Sequence, residues 1–229
     1  LLPGARNAVA TCLAIQPGER VTLIADRASG EVAASLDRAL TECRAIATCL
    51  SIEALAARPL VAAPPEVLAS LETADAGILC VQPQEGELPA RRAIVGVVER
   101  RRIRYAHMVG VTPRIMCEGM RADYHRVDRL SQQLCDRMPW ARRLTVRTAA
   151  GTNFTASFDP ALAWVKTSGL INPRYWSNLP AGEAFTTPAS VDGTFVCDGS
   201  GRGVPAANDP CDPNRPVPEP PPTATTAPD

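Results

Sequence analysis

The sequence predicts an α/β protein: a doubly wound, mostly parallel sheet lobe, then the start of a second, β-rich α+β lobe, then a disordered tail. Three observations carry this expectation. Short apolar, β-branched runs alternate with helical periodicity between residues 20 and 109, the pattern of βαβ units. A strand–turn–strand pattern follows at 143–158. After Ser200, prolines crowd in and branched aliphatic residues nearly vanish. The implied divisions are residues 1–139 for the N-terminal lobe, 140–200 for part of a second lobe, and 201–229 for the tail.

In chain order, 5–14 reads as a short Ala-rich helix with Val9 and Leu13 spaced four apart. The turn Gln16-Pro17-Gly18-Glu19 precedes the first strand, 20–25. Residues 30–43 are helical, with Val32, Leu36, Ala39 and Leu40 on one face. Further strands are expected at 45–52, 76–81 and 103–109. Helices opened by Pro64-Pro65 and by Pro89 separate them. A last helix at 127–138 carries Val127, Leu130, Leu134 and Met138 as a packing stripe. The turn at Ala149–Asn153 joins two strands, and Ala184–Thr186 reads as another short strand.

Composition excludes several classes of function. The chain has 24 basic and 24 acidic residues and no net charge, which argues against a nucleic-acid binder. Arg100, Arg101, Arg102 and Arg104 cluster, but Glu87 and Glu99 interleave and no aromatic platform accompanies them; they read as solvated helix-end charges. Asp26–Gly30 lacks the glycine spacing of a dinucleotide fingerprint. Eight cysteines, none in a Cys-x-x-Cys pair, fit reduced thiols and a cytoplasmic setting. No signal peptide or transmembrane span is visible, so no membrane partner is expected. The start without Met suggests a trimmed or partial beginning.

The chemistry centres on Asn178–Pro188, Asn-Leu-Pro-Ala-Gly-Glu-Ala-Phe-Thr-Thr-Pro. Pro180 fixes φ and Gly182 tolerates positive φ, so a rigid bend is expected to present Glu183. Such a carboxylate serves as a metal ligand, as an acid/base group, or simply as a solvated turn residue. His107, after a strand, reads as a packed or hydrogen-bonded histidine; His125 reads as solvated. Trp164, Tyr175 and Trp176 either line a pocket or wedge a loop onto the sheet, the second reading being favoured.

The segment resembles the Asn-Leu-Pro-x-x-Glu-x-Phe-Thr-x-Pro signature of the thermophilic-type metallo-aminopeptidases, the aminopeptidase T and S family. Gln-Pro-Gly-Glu-Arg-Val at 16–21 and the Gly-Thr-Asn turn at 151–153 are also similar to that family. The resemblance implies that Glu183 is a ligand of a two-metal centre of zinc, cobalt or manganese, acting on the N-terminal residue of a peptide. It also implies a ligand set of two glutamates, two histidines and an aspartate, most of them later in the chain and ending in a His-x-Asp pair. No histidine follows His125, so this chain is expected to bind no metal tightly and to be inactive as it stands. Two other readings stay open: a relative of the dihydroxypyridine ring-cleaving dioxygenases, using non-haem iron, and a non-enzymatic truncated fold. Family members are commonly dimers, so a homodimer is a candidate assembly.

Residues 201–229 hold nine of the 22 prolines and are expected to be disordered. They read as a shifted reading frame, because the resemblance runs to Cys197 and stops inside a lobe; the alternative is a genuine low-complexity tail on a divergent protein.

Overall fold

A computed structural model gives the fold, and the structure describes residues 1–197. The tail expected to be disordered lies outside the described residues. Two compact units are present: one is formed by 1–142 and 158–187, the other by 143–157 and the chain from Pro188. The sequence reading closed the first lobe at 139. The contacts return 158–187, including the Glu183 segment, to that first unit.

The first unit is built on a five-stranded parallel sheet ordered β2-β1-β3-β4-β8. Its strands are β1 (Arg20–Ala25), β2 (Ile46–Ser51), β3 (Ala76–Cys80), β4 (Arg104–His107) and β8 (Ser177–Asn178). The first four are the expected runs, and they share one sheet. The central strand β3 is buried at every position, as a parallel strand covered on both faces must be. That is why Ala-Gly-Ile-Leu-Cys shows no alternation. β8 was not foreseen, because two residues carry no periodicity.

Helices cover both faces. α1 (Leu2–Arg6) runs into a π-helical turn (Asn7–Cys12), where Leu13 N–H reaches back to the Ala8 carbonyl. The helix therefore starts earlier than expected and is wider in its second half. With α2 (Gly30–Glu42) it packs on Val21, Leu23 and Ile78. The face of α2 is Val32, Leu36, Ala39 and Leu40, as its spacing predicts. On the opposite face, α4 (Pro65–Thr73) and α5 (Leu88–Arg101) pack Val67, Leu71, Ile94, Val97 and Val98 on Ile24, Leu79 and Tyr105. Each fully buried Leu, Ile or Val contributes roughly 1.5–3 kcal/mol, so these two layers dominate the unit's stability.

The shorter α3 (Ile52–Leu55) and α6 (Pro113–Cys117) lie in connections. α7 (Tyr124–Arg137) starts where the Asp123 side chain accepts the Arg126 N–H at 2.9 Å. A small antiparallel pair, β7 (Val165–Thr167) and β9 (Glu183–Phe185), packs near α7.

The second unit is an antiparallel sheet ordered β10-β6-β5, formed by β5 (Arg143–Arg147), β6 (Asn153–Ser157) and β10 (Ser190–Thr194). The β5–β6 hairpin is the expected one. Gly193 is obligatory in β10: its φ is +125°, and a Cβ there would stand 2.3 Å from the Asn153 carbonyl oxygen. Among the described residues, no helix is long and apolar enough to cross a membrane.

Candidate functional site

The Asn178–Pro188 segment leaves the end of the parallel sheet. His107 pairs with Asn178 across β4 and β8, and the Leu179 N–H bonds the His107 carbonyl at 3.1 Å. Leu179 is buried, and the chain turns at a cis Leu179–Pro180 peptide bond. Gly182 does not adopt positive φ, contrary to expectation. Its role is proximity: a Cβ there would come within 3.1 Å of Val127 on α7.

Glu183 then opens β9, opposite Thr167 of β7. Its carboxylate is exposed, and Oε2 accepts the Thr167 hydroxyl at 3.2 Å. Beside Thr167 lies a cavity of about 370 Å³ lined by Asp128, Lys166, Thr167, Ser168, Tyr175 and Trp176, among others. Lys166 Nζ stands 2.8 Å from Asp128, and the Ser168 hydroxyl donates to the same carboxylate. Burial pushes the Asp128 carboxyl up, but the Lys166 and Ser168 bonds more than offset it and hold it below the usual carboxylate range. This corner thus carries a paired ammonium–carboxylate and two hydroxyls.

The two histidines do not join Glu183 in a ligand set. Asn178 Oδ1 accepts from His107 Nδ1 at 2.9 Å, which leaves the lone pair on Nε2 in the neutral ring. The ring is half-buried, 5.8 Å from Trp176 and 6.4 Å from Tyr105 by centroids. Burial depresses its pKa, Asn178 opposes this, and Arg91 adds to the depression. His125 is exposed on the first turn of α7. Among the described residues, no three His, Cys, Asp or Glu side chains come together as a metal site. Glu183 has a hydroxyl beside it rather than a second anionic donor. The residues present therefore do not fit a two-metal centre.

The basic cluster is dispersed by its partners. Arg100 and Arg101 pair with Glu72, and Arg104 pairs with Glu19. Trp176 packs at the edge of the core, its ring T-shaped to Tyr105, while Tyr175 is exposed.

Sequence reasoning missed the most elaborate polar cluster among the described residues. It sits between the carboxyl ends of β1 and β3, where α2 and α5 leave on opposite faces. Doubly wound sheets hold ligands at this switch point. Here Arg58 fills it, donating to Asp26 at the end of β1, to Glu87 before α5 and to the Gln82 carbonyl after β3. The Arg58, Asp26 and Glu87 side chains are 6%, 0% and 3% exposed, so the crevice is closed by the chain itself. The available signal was an aspartate directly after a buried strand.

No protein-family model matches the chain, and comparison with curated proteins finds no match. Among solved structures, wild-type AmpT from Thermus thermophilus superposes with a TM-score of 0.51 at 16% identity, over 83% of this chain and 62% of AmpT. The likeness shows a shared fold. The chain spans 62% of the length of that relative.

Proposed function

We propose that this chain carries the fold of a metal-dependent aminopeptidase, a class that removes N-terminal amino acids from peptides, and that these 229 residues do not perform the reaction by themselves. The observation that carries the reading is the placement of Glu183. The segment matching the aminopeptidase signature is anchored at Leu179 and Gly182 and leaves this one carboxylate exposed opposite Thr167. The shared fold with AmpT supports the same reading. Glu183 is the residue proposed to ligate a divalent ion in such a protein; the described residues do not complete that site, so no step through a metal is assigned to them.

A cytoplasmic setting accords with the thiols of Cys12, Cys43, Cys49, Cys80, Cys117 and Cys135, none of which forms a disulfide.

The test is release of the N-terminal residue from a leucyl peptide, with zinc, cobalt or manganese added. The expected result is no metal-dependent release above background from either the native chain or Glu183→Gln. Glu183 is exposed with one hydroxyl partner, so the substitution should change stability by less than about 0.5 kcal/mol, and thermal unfolding checks this. Metal-dependent release that Glu183→Gln abolishes would overturn the inactivity and retain the assignment of Glu183. Release unaffected by the substitution would overturn that assignment.

A further inference from the structure

We propose that Arg91 and Tyr105, beside His107 at the carboxyl end of β4, form a binding site for a carboxylate carried on a small apolar or aromatic molecule. The inference is independent of the aminopeptidase reading.

Tyr105 and His107 stand two residues apart on β4, so their side chains leave the strand on one side. That side is covered by α5, whose Ala90, Ile94, Val97 and Val98 pack in one layer with Tyr105 and Trp176. By centroids, the Tyr105 ring lies 6.4 Å from His107 and 6.5 Å from Trp176, and His107 lies 5.8 Å from Trp176. Arg91 sits early in α5, and its charge is felt by both titratable rings. Burial pushes the Tyr105 hydroxyl up and the His107 imidazole down, and Arg91 lowers both.

Two donors in this corner are unused. Tyr105 is 0% exposed and its hydroxyl has no partner; Arg91 Nε is buried and has none either. Buried donors without partners are rare, and two of them side by side call for an acceptor. The carboxylates of α5 and its cap are committed elsewhere. Glu87, whose carbonyl takes the Arg91 N–H at 3.1 Å, is gripped by Arg58, and Glu99 accepts the Trp176 indole N–H at 3.2 Å. The charge of the corner selects the ligand. Arg91 supplies one positive charge and the His107 ring, with its depressed pKa, is neutral at neutral pH, so a single negative charge is matched and a phosphate dianion is not. A carboxylate has two oxygens, which take the Tyr105 hydroxyl and the Arg91 Nε–H together. The Trp176 ring offers an apolar wall for the rest of the molecule. Arg91, His107 and Trp176 are only half-buried, so the corner is reached from solvent.

Benzoate is the probe. Titrated into the full chain at about pH 7.5 and fixed ionic strength, and followed by NMR of the His107 ring nitrogens, it should saturate with a Kd on the order of 1 mM. Tyr105→Phe keeps the ring and removes only the unbonded hydroxyl; it should weaken binding at least about tenfold, as should Arg91→Gln. Arg92→Gln, at the exposed neighbouring position of α5, should leave the Kd unchanged. The bound negative charge should also raise the His107 pKa. Absence of a saturable shift up to about 50 mM overturns the proposal, and is the outcome if the two donors hold only water. Binding that Tyr105→Phe leaves intact overturns it too, as does binding that Arg92→Gln weakens equally, or that inorganic phosphate or chloride matches. If Arg91→Gln fails to fold, Tyr105→Phe decides, with thermal unfolding checking its fold.

Discussion

Arg58 grips Glu87 in a two-pronged pair, Nε to Oε1 at 2.8 Å and Nη2 to Oε2 at 2.6 Å, with both side chains almost wholly buried. Glu87 is also satisfied by the Leu60 and Gln84 N–H groups, and Asp26 by those of Ser29 and Gln82. Burial pushes the Glu87 carboxyl up, but Arg58 and these N–H groups hold it below the usual carboxylate range.

Arg58→Ala therefore leaves two buried carboxylates without their cation. The expected loss is about 3–5 kcal/mol, read from urea unfolding at neutral pH. A loss under about 1 kcal/mol would mean the network is open to solvent. Because Glu87 is depressed in the folded state, its share of stability is present above about pH 4.3 and fades as pH falls through the lower folded value. Glu87→Gln should remove that acid-side slope as well as lowering stability.

Tyr105 presents the opposite case. Its hydroxyl is fully buried and has no hydrogen-bond partner, and Arg91 Nε is likewise unpartnered. An unsatisfied buried hydroxyl costs roughly 1–3 kcal/mol, so Tyr105→Phe should be neutral or stabilising by up to about that amount. Thermal unfolding decides: a lower midpoint would mean that the hydroxyl is bonded in solution.

His107 gives a titration signature. Its depressed pKa means that the unfolded chain binds a proton more readily than the folded one below about pH 6.5. Stability should rise with pH through the window between the folded value and about 6.5, and flatten above it. Asn178→Ala removes the bond that raises the pKa, so the imidazole should titrate lower still, followed by NMR of its ring nitrogens. An upward shift would show that the pair does not form as described.

The sequence resolved what is local. The strands β1, β2, β3 and β4 were legible because a sheet covered on both faces demands short apolar, β-branched runs. The face of α2 and the β5–β6 hairpin were legible through period and turn chemistry. Glu183 was singled out because its motif is contiguous.

Tertiary structure decided what joins distant residues. Arg58 meets Asp26 and Glu87 across 32 and 29 positions, and His107 meets Asn178 across 71. No local period encodes such pairs. β8 exists as a strand only because β4 offers an edge beside it. Conversely, the order β2-β1-β3-β4 places β2 at the edge of the sheet among the described residues, a position that its own run of residues does not announce. Apolar periodicity specifies which residues must be buried. The partner each residue is buried against depends on how loops and crossovers close, and that information is spread over the whole chain.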